Sequence, residues 1–162
     1  MNSNVVSLIP KTPDANYVKN FRPIAIVNFK FKIISKILAN RLAIVAARII
    51  SPNQYGFVQG RQIHDCIGIA FKAIYMLSKT IRGGNVTYKV DIHKAFDTLR
   101  WKFLLLVLTH FGFHSSFVSW ISIILHSVMC SIRINGSMVR FLPCSIGVRQ
   151  GDPSSPLLFC LA

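Results

Sequence analysis

The chain has 162 residues, 52% of them hydrophobic, and carries 19 Lys and Arg against five acidic residues, a net charge of +14. A mean hydropathy of +0.47 excludes a disordered chain and allows one domain with a real core. The basic excess is spread along the chain and not gathered in a tail, so it points to a folded surface for a polyanion, either nucleic acid or an anionic membrane.

The N-terminus has no basic n-region and too short an apolar run for a signal peptide. Leu8-Ile9-Pro10-Lys11 reads as a short strand closed by proline, and residues 12–20 as a polar loop. Pro23 pushes Arg22 toward an extended backbone; taken alone, Arg22 is a surface arginine. Asn28 is placed to cap a helix over about Phe29–Ile50. In it Ile34, Ile37, Leu38, Leu42 and Val45 recur at helical spacing, while Lys30, Lys32, Lys36, Arg41 and Arg48 lie largely off that stripe. One sign of charge on the polar side suits phosphate. Ser51-Pro52-Asn53 ends the helix. In Gln54–Arg61 two glycines flank Phe57 and allow tight turns. Arg61 offers a fork-shaped guanidinium suited to a triphosphate, or else is the surface arginine of a turn. Ile63–Lys79 reads as a second helix, followed by the loop Arg82-Gly83-Gly84-Asn85.

Val86-Thr87-Tyr88-Lys89-Val90-Asp91 alternates apolar and polar residues, the period of a strand with Val86, Tyr88 and Val90 inward. From Ala95 the pattern turns helical. Asp91 thus ends a strand, where a carboxylate facing a cleft can hold a hard cation such as Mg²⁺; the plain alternative is a solvated strand end. All five carboxylates are Asp, and only Asp91 and Asp97 lie close together in sequence. Asp97 precedes the helical run Leu99–Leu108 and reads as its N-cap. Residues 103–132 contain no charged side chain for 30 residues, long enough to span a bilayer. Gly112, three histidines and several serines interrupt them, which gives two buried helices joined at Phe111-Gly112-Phe113. Asn135-Gly136 between two strand-like runs signals a hairpin. Asp152 reads as an N-cap with Pro153 at the first helical position. Cys66, Cys130, Cys144 and Cys160 show no C-x-x-C and no histidine at zinc spacing, so they read as reduced core thiols of an intracellular protein.

Four blocks occur in order: Asn20-Phe21-Arg22-Pro23-Ile24, Gln54-Tyr55-Gly56-Phe57-Val58-Gln59-Gly60-Arg61, Lys89-Val90-Asp91-Ile92-His93-Lys94-Ala95-Phe96-Asp97 and Arg149-Gln150-Gly151-Asp152-Pro153-Ser154-Ser155-Pro156. Together they resemble reverse transcriptases of the non-LTR retrotransposon (LINE) type, over about residues 5–162. The resemblance implies an α+β fold, the fingers and N-terminal palm of a right-hand polymerase, with a small antiparallel sheet packed by helices. Residues 1–85 would be fingers-like and 86–162 the first part of the palm. It implies that Asp91 holds the catalytic metal and that Phe96 lies beneath the sugar of the incoming nucleotide and excludes a 2′-hydroxyl. Gln150 and Gly151 would line the nucleotide pocket with Arg61 on the triphosphate, and Arg22, Arg149 and Lys36 would contact template or phosphate. The implied partners are an RNA template, a DNA primer, deoxynucleoside triphosphates and Mg²⁺, with no membrane and a nuclear location possible.

Two departures stand out. Ser154 occupies a position where the family has Leu. The family's second catalytic motif, an aromatic residue then x-Asp-Asp on a hairpin, lies further downstream, as does the thumb, and these 162 residues contain no Asp-Asp pair. Two-metal phosphoryl transfer needs carboxylates from both motifs, so the chain by itself is expected not to extend a primer. The alternative reading is a non-catalytic, basic nucleic-acid-binding remnant of a degenerate element.

Overall fold

A computed structural model describes residues 3–79, 82–134 and 136–162. Strand β1 (Ser3–Pro10) pairs antiparallel with β2 (Phe21–Val27), Asn4 opposite Val27 and Pro10 opposite Phe21. A short 3₁₀ turn, Val18–Asn20, lies in the connection. On the other side of β1, strand β3 (Met129–Ile134) runs parallel to it, from Ser3 opposite Met129 to Val6 opposite Ile132. The far edge of β3 takes β4 (Ser137–Met138) and β5 (Leu142–Pro143), both antiparallel. The α+β expectation holds. The sheet is mixed, because β1 and β3 are joined through the intervening helices and not by a hairpin, and such a crossover permits a parallel pair. Strands from the first 27 residues and from residues 129–143 therefore share one sheet. Asn135 of the expected hairpin lies outside the described residues; its neighbour Gly136 has φ 83°.

Asn28 caps α1 (Phe29–Ile49) as expected, its side chain accepting the Lys30 N–H at 3.0 Å. The buried stripe of α1 differs from the expected one. Ser35, Leu38, Ala39, Leu42 and Ala46 are buried, whereas Ile34, Ile37 and Val45 are 53%, 49% and 40% exposed. The small residues on that line let α6 (Ser155–Leu161) approach closely, and shape there outweighs hydropathy. The core is completed by Leu104 and Leu108 of α4 (Trp101–His110) and by Ile121 and Leu125 of α5 (Ser115–His126). Gly112, at φ 77°, turns the chain between α4 and α5. The uncharged stretch is thus a helical hairpin running into β3. Among the described residues no helix is long and apolar enough to cross a membrane.

One expected element does not form, and one that does form buries nothing. Val86–Asp91 forms no strand, and Val86, Tyr88 and Val90 are 75%, 87% and 83% exposed. Alternation sets which side chains share a face, but a strand also needs a neighbour to take its N–H and C=O groups, and no described strand runs beside it. Likewise α2 (Ile63–Leu77) forms with apolar spacing but buries no residue. Cys66, on α2, is exposed, so it is no core thiol; Cys130, Cys144 and Cys160 are partly buried.

Candidate functional site

The Lys94–Asp97 segment is a single tight turn. Lys94 adopts a left-handed backbone (φ 51°, ψ 42°) and leads into α3 (Ala95–Thr98). Its carbonyl accepts the N–H groups of Asp97 at 2.8 Å and Thr98 at 3.1 Å. Phe96 is half-buried, stacked on Phe159 with ring centroids 5.2 Å apart. The backbone of this turn is fastened to a distant strap, residues 147–151. Val148 N–H donates to the Phe96 carbonyl at 2.7 Å and Gly147 N–H to the Leu99 carbonyl at 2.9 Å. The Trp101 indole donates to the Gly147 carbonyl at 2.6 Å. Gly147 has φ 83°, and a Cβ there would sit 2.9 Å from the Asp97 carbonyl oxygen and 3.0 Å from that of Phe96. The position is closed to any side chain. At its other end the strap meets β2: Ala25 N–H donates to the Gln150 carbonyl at 3.2 Å, and Gly151, at φ 107°, passes close to the Ala25 carbonyl.

Behind the strap lies a buried polar cluster. Asp152, 5% exposed, accepts from the Ser154 N–H at 2.9 Å, the Ser154 hydroxyl at 2.7 Å and the Ser35 hydroxyl of α1. The two hydroxyls are 3.1 Å apart. The Arg149 guanidinium stands 3.7 Å from the Asp152 carboxylate and 4.2 Å over the Phe31 ring. Burial lowers the Arg149 pKa, and Asp152 opposes that shift. Asp152 does accept an N–H at the helix entrance, as read from the sequence, but α6 begins at Ser155 with Pro156, not Pro153, in its first turn. Ser154, the departure from the family's Leu, is matched by Ser35, so a hydroxyl pair fills the space between α1 and the strap.

Between β2, α3 and the strap is a cleft of about 180 Å³, lined among others by Pro23, Ala25, Asp97, Arg149, Gln150 and Ser154. It is smaller than the ~300–1,000 Å³ of sites that enclose a small molecule, so it is the floor of a site and not an enclosure. Gln150 and Gly151 lie exposed on the strap, Arg149 is half-buried with its side chain 9% exposed, and Phe96 is half-buried with its carbonyl bonded to the strap. Arg22 is exposed on β2, next to the cleft residue Pro23, and Lys36 is exposed beside Ser35.

Other expected residues are elsewhere. Arg61 donates to the carbonyls of Ala47 (3.3 Å), Ile50 (3.1 Å), Ser51 and Gln54 (2.6 Å). Its fork holds the C-terminal end of α1, roughly 20 Å along that helix from Ser35 at 1.5 Å per residue. Asp97 does not cap α4, whose N-cap position is Arg100; it sits exposed in α3, on the cleft wall. Asp91 is exposed, and among the described residues no group of three or more His, Cys, Asp or Glu side chains is placed to hold a metal ion. These residues alone do not make a two-metal centre. Sequence reasoning passed over Ser35, Phe31 and Trp101. A lone hydroxyl in the run Ile33-Ile34-Ser35-Lys36-Ile37 was the available signal for Ser35; nothing local marked the partners of Phe31 or Trp101.

The profile of the reverse transcriptase (RNA-dependent DNA polymerase) family matches residues 9–162. The chain belongs to the reverse transcriptase family. It is of the non-LTR retrotransposon type indicated by its four blocks. Among its relatives is the transposon TX1 uncharacterized 149 kDa protein of Xenopus laevis, 33% identical over 98% of this chain and 12% of that protein. The Pol polyprotein from the type-1 retrotransposable element R2 of Popillia japonica is 33% identical over 94% of this chain and 21% of its own length. That from the type-2 retrotransposable element R2DM of Drosophila melanogaster is 31% identical over 94% of this chain and 14% of its own length. The chain thus spans between 12% and 21% of the length of these relatives. Reverse transcriptases generally depend on divalent metal ions.

Proposed function

We propose that these residues form the nucleotide-binding side of an RNA-directed DNA polymerase that adds deoxynucleotides to a DNA 3′-hydroxyl on an RNA template with Mg²⁺. The supporting observation is convergence. The Phe96 carbonyl holds the N–H before Arg149, and the Gln150 carbonyl holds Ala25 in the strand of Arg22, so three of the four blocks meet around one cleft. In this reading Phe96 lies under the sugar, and the Gln150 amide hydrogen-bonds sugar or base. Gly151 lets the backbone approach the nucleotide. Arg149, fixed between Phe31 and Asp152, gives that corner positive charge, and Arg22 and Lys36 contact template or phosphate. Arg61 acts at one remove by fixing the end of α1. Residues 1–85 serve as fingers and 86–162 as the start of the palm. Asp91 supplies one carboxylate, and a metal centre needs others that these residues do not bring to it.

The 162-residue chain is therefore expected to bind an RNA–DNA hybrid without extending the primer. Binding measured by fluorescence anisotropy should weaken steeply as salt rises, because cationic contacts release counterions. Salt-insensitive binding would remove the electrostatic half of the reading, and primer extension by the purified chain would remove the requirement for further carboxylates. A second reading, which the reverse transcriptase match over residues 9–162 does not favour, is a basic nucleic-acid-binding protein without catalysis, resting on the net charge of +14. It predicts the same binding but no extension from a longer polypeptide that carries an Asp-Asp motif.

A further inference from the structure

Two thiols meet where the strap leaves the sheet. In the β3–β5 ladder Cys130 lies opposite Leu142 and Met129 opposite Pro143. The ladder continues past β5, since Cys144 N–H donates to the Val128 carbonyl at 3.2 Å. Cys130 and Cys144 are thus diagonal neighbours on one face of the sheet, and their sulfurs are 3.1 Å apart. A disulfide bond is ~2.04 Å long, so about 1 Å of closure separates contact from a bond. The remaining thiols are placed differently. Cys66 is exposed on α2, and Cys160 lies 3.6 Å from both the Gln54 amide nitrogen and the Gly56 carbonyl.

We propose that Cys130 and Cys144 are a redox modification site, oxidised by peroxide to an intrachain disulfide and restored by thiols. The Cys130 thiolate attacks a peroxide oxygen, breaks the O–O bond and becomes a sulfenic acid, with hydroxide leaving and protonated to water. The Cys144 sulfur then attacks that of Cys130. Its proton and the sulfenic hydroxyl leave as a second water, so two thiols and one hydrogen peroxide give one disulfide and two waters. Burial, with Cys130 beside it, pushes the Cys144 thiol up to about 12, which keeps it protonated and leaves the first attack on peroxide to Cys130; the contact between the two sulfurs is what brings Cys144 to the second step. The product ties β3 to the segment just before the strap that carries Arg149 and Gln150.

Peptide mapping of the whole chain tests this. The protein is exposed to hydrogen peroxide, its remaining thiols are blocked with iodoacetamide, and it is digested with trypsin. Cleavage after Lys102, Arg133, Arg140 and Arg149 places Cys130 in peptide 103–133 and Cys144 in peptide 141–149. The expected product is these two peptides joined, lighter than their sum by two hydrogens and separated by dithiothreitol. It should account for most of the modified Cys130, persist in Cys66→Ser and be lost in Cys144→Ser. Recovery of both peptides singly alkylated while Cys66 is oxidised would overturn the proposal. So would Cys130 driven to sulfinic acid without the cross-link.

Discussion

Replacing Gly147 by Ala isolates the contact that fastens the strap to the Phe96 turn. Two glycines have nearly the same backbone: Gly147 at φ 83° and Gly60 at φ 82°. A Cβ at Gly60 meets nothing within 4 Å, whereas at Gly147 it meets the Asp97 carbonyl oxygen at 2.9 Å, the Asp97 Cα at 3.0 Å and the Phe96 carbonyl oxygen at 3.0 Å. Both substitutions incur the left-handed backbone cost, about 1–2 kcal/mol. Only Gly147→Ala adds overpacking against backbone that cannot rotate aside, about 1–3 kcal/mol more. The total of about 2–5 kcal/mol is a large share of the 5–15 kcal/mol typical of a domain. With a urea slope of roughly 1–3 kcal/mol per molar, Gly147→Ala should unfold about 1 M earlier than Gly60→Ala. Equilibrium urea unfolding measures this, and in a Trp120→Phe background the remaining Trp101, bonded to the Gly147 carbonyl, makes tryptophan fluorescence a local reporter. Equal midpoints for the two variants would show that the strap is not seated on the Phe96 turn.

Ser154→Leu, which restores the family residue at one position only, removes a donor from buried Asp152 and crowds Ser35; it should lower stability by about 1–3 kcal/mol in a thermal melt, and an unchanged melting temperature would contradict the hydroxyl cluster. Arg61→Lys loses the fork that holds the end of α1 and should lower stability by about 1–3 kcal/mol. If the melting temperature does not move, Arg61 is available for a triphosphate after all. Phe96→Val, in a polypeptide extended through an Asp-Asp motif, should raise ribonucleotide incorporation relative to deoxynucleotides; an unchanged preference would leave Phe96 only its packing on Phe159.

What the sequence made legible was local. The Asn28 cap needs only its neighbour Lys30, and the α4–α5 hairpin needs only a glycine between two apolar helices. What it hid depends on partners far along the chain. The alternation of Val86–Asp91 assigns a face but cannot tell whether another strand lies beside it. On α1, hydropathy ranks Ile34 and Ile37 above Ser35 and Ala39, while close approach of α6 reverses that order. Arg61 looks like a phosphate ligand because its side chain is a donor fork. Its partners are four backbone carbonyls, and these have no sequence signature. Asp97 and Asp152 both precede helices, but only Asp152 accepts an N–H there. Of the residues around the cleft, Phe96, Gln150 and Gly151 stand in recognisable motifs, whereas the backbone bonds that join their segments have no sequence signature.

The most direct test of the polymerase reading is primer extension on an RNA template by the polypeptide extended through an Asp-Asp motif, wild type against Asp91→Asn. Asp91 is exposed, so the variant should fold as the parent does. The account predicts DNA synthesis by the wild type and none by Asp91→Asn with the melting temperature unchanged. Extension that survives Asp91→Asn, or a wild type that binds the template and never extends the primer, would contradict it.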